Sequence, residues 1–263
     1  MMRALWSAAS GMIAQQTNMD IVAHNLSNVN TYGNKKVRAE FQDLLYQTLR
    51  DAGGNSSTTT TYPQGKQVGL GVRVAATHRV FTQGPLETTD VPTDIGIQGE
   101  GFFKIQLPNG DAVYTRDGSF KLDSEGNFVT TDGYRLFDNV NIPTDVSRDT
   151  IVIASDGQVS YTQNGQPVTG QTINVYRFIN PEGLTSVGKN LFRATTASGN
   201  EIQIDFNTSG ESSSLAQGTL EMSGVQVVEE MVNMIIAQRA YESNSKAITT
   251  SDSMLEIANQ LKR

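Results

Sequence analysis

Acid–base or metal chemistry in this chain of 263 residues would rest on its 27 carboxylates, because cysteine is absent and only His24 and His78 supply imidazole. Without thiols there is no disulfide framework, no thiolate metal site and no cysteine nucleophile. Two imidazoles are too few for a histidine-rich centre. Asp111, Asp117, Asp123 and Asp132 stand in glycine-rich stretches, but without the D-x-[DN]-x-[DN]-G spacing of a calcium loop. Each occupies a place where a turn residue belongs. No G-x-S-x-G, H-E-x-x-H or phosphate loop occurs. The run from Gly96 to Gly101 (GIQGEG) lacks the dinucleotide-binding spacing and reads as a tight turn into a strand carrying Phe102 and Phe103. No catalytic residue, cofactor or metal site is expected.

The one basic cluster, Lys35, Lys36 and Arg38, is followed by Glu40 and Asp43 and has no interleaved aromatics. A solvated face or an inter-subunit ion pair is therefore expected rather than a nucleic-acid groove. A net charge of −7 points the same way. No apolar run approaches the roughly eighteen residues that span a bilayer, so membrane insertion is not expected. Arg3 and the residues after it could open a signal peptide. Ser7, Ser10 and Gly11 dilute that apolar run, however, and a working helix is the better reading.

The elements that must carry any function are at the two ends. Leu5, Met12, Met19 and Leu26 recur every seven residues, as do Val227, Met234, Tyr241, Ile248 and Leu255. A strict seven-residue period marks helices whose apolar seam faces another helix. The first helix is expected from about Met2 to Asn28, with Gly33 as a left-handed stop. The second is expected from Ser223 to Lys262, with Ser223 and Gln226 forming a capping box. Glu229 and Glu230 would lie at its positive end and Lys262 and Arg263 at its negative end. Gln238, Asn244, Ser245, Ser251 and Asp252 narrow its seam. A thin stripe supplies few burials of roughly 1.5–3 kcal/mol each. These helices are thus expected to be loose in the monomer, to order on assembly, and to form the self-assembly seam.

Between the helices the period changes to two. Segments such as Phe103–Leu107, Ile173–Phe178 and Ile202–Phe206 alternate, separated by Asn109–Gly110, Asp117–Gly118, Glu125–Gly126, Asp132–Gly133, Asp156–Gly157 and Asn164–Gly165. Such pairs accept the positive φ of tight hairpins. The fold class is therefore α+β and multidomain: a terminal α-helical coiled-coil domain (1–33 with 223–263) and a central all-β domain (68–206). A connecting arm, either a short helix or extended, runs over 34–67 and contains a low-complexity insertion; a Ser-rich linker covers 207–222.

Several stretches together resemble the bacterial flagellar rod and hook proteins. They are AHNLSNVNTYGN (Ala23–Asn34), KVRAEFQDLLYQ (Lys36–Gln47), GEGFF (Gly99–Phe103), YTRDGSF (Tyr114–Phe120), FINPEGL (Phe178–Leu184) and the terminal VEEMVNMI and AQRAYE (Val228–Ile235, Ala237–Glu242). Asn34 stands where the family commonly has Phe, and Gly224 where Asn is common. Within the family the chain is most similar to distal rod members, and the Tyr46–Lys66 insertion resembles the segment that distinguishes rod from hook.

The resemblance implies helical homopolymerisation into a rigid hollow drive shaft in the periplasm, exported by the flagellar type III apparatus without a cleaved signal. It implies proximal rod and hook proteins at the shaft's ends and ring proteins around it. Tyr46, Gly53, Gly54, Thr58, Tyr62 and Pro63 would stiffen the shaft. A proximal rod subunit is the nearest alternative. An alternative of another class is a secreted peptidoglycan-binding β-domain on a dimerisation stalk.

Overall fold

The computed structural model describes residues 2–53, 62–138, 140–163, 165–206 and 213–261. Gly54, Thr58, Asn164, Lys262 and Arg263 lie outside the described residues. Helices at the N- and C-terminal ends flank a largely β central region. The chain divides into two units: Met1–Leu26, Val37–His78 and Gln226–Arg263 form the first, and Ser27–Lys36 with Arg79–Val225 the second.

The first unit holds α1 (Met2–Ser27) and α2 (Val227–Gln260). Neither is long and apolar enough to cross a membrane. The arm that could have been helical is extended, as β1 (Val37–Asp43) and β2 (Tyr46–Arg50). Burial in the first half of β1 alternates over Val37, Arg38, Ala39 and Glu40, the period of a half-covered strand. β1 pairs with β4 (Val72–Arg79), and β2 with β3 (Lys66–Gly69), giving two separate two-stranded sheets. The β2–β3 pairing is antiparallel, with Tyr46 opposite Gly69 and a register shift between Thr48 and Arg50.

α2 begins later than the capping-box reading requires. Gln226 is its N-cap and makes no side-chain cap hydrogen bond. The Ser223 hydroxyl oxygen instead accepts a 3.4 Å bond from Asn34 Nδ2. A tertiary partner has displaced the local one.

In the second unit every strand pair is antiparallel. Here β5 is Leu86–Thr88, β6 Ile95–Gln98, β7 Phe102–Gln106, β8 Ala112–Thr115, β9 Lys121–Leu122, β10 Phe128–Val129 and β11 Arg135–Leu136. β12 (Val152–Ile153), β13 (Gln158–Gln163) and β14 (Gln166–Thr172) form a three-stranded sheet. β15 (Val175–Arg177), β16 (Thr185–Gly188), β17 (Leu191–Arg193) and β18 (Ile202–Gln203) join the largest sheet, ordered β16-β17-β8-β7-β11-β10-β9, with β15 paired to both β7 and β18. β19 (Ser214–Gln217) pairs with β6, and β20 (Thr219–Glu221) with β5.

β7 is buried on both faces. Phe103 and Ile105 enter the main core with Ile95, Phe120, Phe128 and Val175. Phe102 points into an aromatic cluster with Tyr114, Tyr176, Phe178 and Phe192, whose rings meet edge to face.

Several expected turns have the required left-handed glycine, as at Gly110, Gly126, Gly133 and Gly157. Gly118 differs, for its φ is not in the left-handed region. It is glycine because a Cβ there would lie 1.7 Å from the Ile95 carbonyl oxygen. The Asp117–Gly118 pair therefore marks a close backbone approach rather than a hairpin turn.

Candidate functional site

The faces of the terminal helices are the candidate assembly site. Among the described residues α1 buries Ala8, Ala14, Val22 and Asn25, and α2 buries Glu230 and Ala237. Most of these side chains are small, so the backbones come close. A Cβ on Gly11 would lie 2.8 Å from Asn244 Nδ2. Asn25 Nδ2 donates to Glu230 Oε2 at 3.3 Å and to the Val37 carbonyl at 2.9 Å. Its Oδ1 accepts from the Val37 N–H. One buried amide thus joins α1, α2 and the start of β1. The residue numbers of each contacting pair, 11 with 244 and 25 with 230, add to 255. The helices therefore run antiparallel where they meet.

Leu5, Met12, Met19 and Leu26 are half-buried, as are Met234, Ile248 and Leu255, whereas Val227 (40%) and Tyr241 (39%) are exposed. The fully covered line of α2 includes Glu230 and Ala237, three positions on from Val227 and Met234 of the apolar heptad. Sequence reasoning passed over these small and polar residues because hydrophobicity was its signal. Further large apolar side chains are exposed off that heptad: Trp6 (72%) and Ile13 (65%) on α1, and Val228 (75%), Met231, Val232, Ile235, Ile236, Met254 and Ile257 on α2.

In the Tyr46–Lys66 segment every residue of β2 is exposed. Tyr46 is open and Leu45, just before it, is 85% exposed. Gly53 takes a left-handed φ, and its N–H donates to the Tyr62 carbonyl at 2.9 Å. Arg50 stacks on the Tyr62 ring, 4.0 Å from its centroid. Tyr62 is half-buried and Pro63 exposed.

The second unit holds a buried charge cluster. Lys35 is not on a solvated face: it is 1% exposed, and Nζ lies 2.6 Å from Glu221 Oε1. The other carboxylate oxygen of Glu221 accepts from Arg116 Nε at 2.5 Å. Lys35 also donates to the Thr82 carbonyl, Gly84 N–H donates to Glu221 Oε1, and Arg116 donates to the carbonyls of Gly99 and Gly101. Gly33 N–H meets the Glu221 carbonyl at 2.8 Å. Gly33 has φ 66°, and a Cβ there would lie 2.6 Å from the Asp117 nitrogen.

Burial, and then the neighbouring Arg116 charge, lower the Lys35 pKa to about 8, against the opposing pull of Glu221. Buried Asn34 donates to Ser223 Oγ and the Asn28 carbonyl. Glu221 and Arg116 carried no motif that a sequence reading could pair. Their meeting is long-range, 105 positions apart.

Tyr114 donates to Glu201, whose Oε1 also lies 2.6 Å from Lys104 Nζ. Burial, followed by this carboxylate, pushes the Tyr114 hydroxyl well above its usual range. Among the described residues no group of three His, Asp or Glu side chains is placed to hold a metal ion.

Three family patterns match the chain: "Flagella basal body rod protein" over residues 5–35, "Flagellar hook protein FlgE/F/G D1 domain" over 96–161, and "Flagellar basal body rod FlgEFG protein C-terminal" over 216–261. Lys35, Arg116 and Glu221 each fall in a different one. The flagellar basal-body rod protein FlgG of Borreliella burgdorferi is 53% identical, with all of both chains covered. FlgG of Buchnera aphidicola from Acyrthosiphon pisum is 49% identical over 99% of this chain and all of that one. The flagellar hook protein FlgE of Helicobacter mustelae is 44% identical over 51% of this chain and 30% of its own length.

Proposed function

We infer that this chain, which belongs to the family of flagellar basal-body rod proteins, is the subunit of the distal rod, a hollow shaft that carries motor torque to the hook. The rod role follows from full-length identity to rod proteins; the distal position rests on the FlgG name of those relatives. In this reading α1 and α2 pair as an antiparallel coiled coil, the helices of many copies pack into a tube, and the second unit forms an outer layer. The hook protein and the proximal rod proteins would adjoin the shaft's ends, with ring proteins around it in the periplasm and export through the flagellar type III apparatus.

One observation carries the mechanism: the outward faces of both helices expose large apolar side chains, from Trp6 to Ile236. Exposed apolar surface of this kind marks a protein–protein contact. The stiffening role belongs to the β2–β3 hairpin. A two-stranded hairpin is marginal in isolation, and with Leu45, Tyr46 and Leu49 exposed it gains by lying against a neighbouring subunit. Torque is then resisted because twisting must break several contacts per subunit at once.

Electron microscopy of concentrated protein, beside the same protein lacking residues after Ser223, tests the reading. Straight tubes are expected from the full chain only. Tubes from the truncated chain would remove the terminal helices from the mechanism.

A further inference from the structure

The extended arm of the first unit is fastened to α1 at two points. At one, the Asn25 amide donates to the Val37 carbonyl and accepts from the Val37 N–H, both at 2.9 Å. At the other, the Val72 N–H donates to Ser10 Oγ at 3.3 Å, and that hydroxyl donates in turn to the Ser7 carbonyl at 2.9 Å. Gln42 bonds to Arg73, and the Leu44 N–H donates to the Gly71 carbonyl. β1 and β4 therefore run antiparallel, and the two fastenings lie at opposite ends of their ribbon. The spans agree. Ser10 and Asn25 are roughly 22 Å apart along α1, and β1 covers about 23 Å from Val37 to Leu44.

Between those points the ribbon is open. Glu40, Phe41, Gln42 and Asp43 of β1 are exposed, as are Ala75, Ala76 and Thr77 of β4. The Ser10 end is built for close contact. Gly71 takes φ 122°, and a Cβ there would lie 2.1 Å from Ser10 Oγ and 3.2 Å from Ser10 Cβ. Glycine is what allows the strand to come this near the helix. Ser7, Ser10 and Gly11 dilute the apolar run of α1, and they are small where the arm and α2 approach it.

The β2–β3 hairpin starts where this second fastening ends: Leu44 is half-buried, and Leu45 is 85% exposed. Resting on the rod reading above and on the hairpin's stiffening role, we propose that Ser10 and Gly71 are the positioning residues of that role. They form a joint through which load on the hairpin passes into α1. With the Ser10 fastening gone the Asn25 one remains, and the ribbon gains freedom to swing about it. A contact between the hairpin and a neighbouring copy then no longer resists bending of the shaft.

Electron microscopy of shafts built by the S10A and G71A full chains, beside wild type and the chain lacking residues 51–62, tests the joint. Both variants are expected to give shafts of normal number and length that bend more than wild type, with the β unit unchanged by circular dichroism. S10A removes only a hydroxyl from the helix, so it decides the matter where G71A does not assemble. Straight S10A and G71A shafts beside bent shafts from the deletion would overturn the joint and leave the stiffening role standing. Straight shafts from all three would overturn both. Hydrogen exchange on the soluble full chain gives a reading that needs no shaft. Loss of the Ser10 bond in S10A is expected to speed exchange at Val72 and across β2–β3 together, by roughly 2- to 12-fold, with the β unit unchanged. Faster exchange at Val72 alone would overturn the transmission to the hairpin. The shared rise in S10A, in a protein that builds no shaft even as wild type, would support the joint and sink the rod reading.

Discussion

The residue that holds most together is Glu221. Its carboxylate faces Lys35 and Arg116, both almost wholly buried, and the three come from widely separated parts of the chain. Removing one member of such a cluster leaves the others as uncompensated buried charge, at a cost of roughly 3–5 kcal/mol. E221Q is therefore expected to lower the urea midpoint of the second unit sharply, by about that amount in free energy.

The pH dependence has a definite sign. The Lys35 pKa falls to about 8 in the folded protein from 10.5, so between these values the unfolded chain binds more protons. Stability from this group rises with pH across that window, by at most about 1.4 kcal/mol per pH unit. Tyr114 and Tyr176, whose hydroxyls are held above 10.0 mainly by burial, oppose it above pH 10. Urea titrations from pH 8 to 10 should show wild type gaining on K35M; a flat difference would mean that Lys35 does not titrate in this range.

At the scale of elements, small side chains set how closely α1 and α2 approach. Ala237 is fully buried, and A237L would overfill its site at about 1–3 kcal/mol. A loss of helical circular dichroism with the β unit intact is the expected result. Met234 and Ile248 are half-buried. An aspartate at either would desolvate a charge against apolar neighbours at a cost of roughly a few kcal/mol. M234D and I248D should leave the β unit folded while abolishing tubes; normal tubes would remove the helix pairing from assembly. Ser223 is a case where local pattern misled. Since α2 is capped elsewhere, S223A should change helix content little and cost only the 3.4 Å contact with Asn34, on the order of 1 kcal/mol or less.

For the whole molecule, the insertion is the feature whose removal tests mechanics apart from folding. β2 is entirely exposed and pairs only with β3 among the described residues. Deleting residues 51–62 should leave both helices and the β unit intact by circular dichroism, yet give shafts that bend under electron microscopy. A shaft equally straight without that segment would refute its stiffening role.

Periodicity was enough to place α1 and to identify the β-rich middle, and the turn dipeptides marked Gly110, Gly126 and Gly133 as hairpin turns, because each rests on interactions within a few residues. The motifs around Ala23–Asn34 and Gly99–Phe103 were legible as family resemblance, but their physical purpose was not. Only in three dimensions do the segments around Gly33, Gly99–Gly101 and Arg116 converge on Glu221, and only there is Lys35 buried rather than solvated. The same is true of the line that α1 and α2 cover, which includes Asn25, Glu230 and Ala237 and is not confined to the apolar heptad. Hydrophobic spacing is written along the chain and can be read there. Close approach and charge burial belong to pairs of residues far apart in the chain, and only the folded chain brings those pairs together.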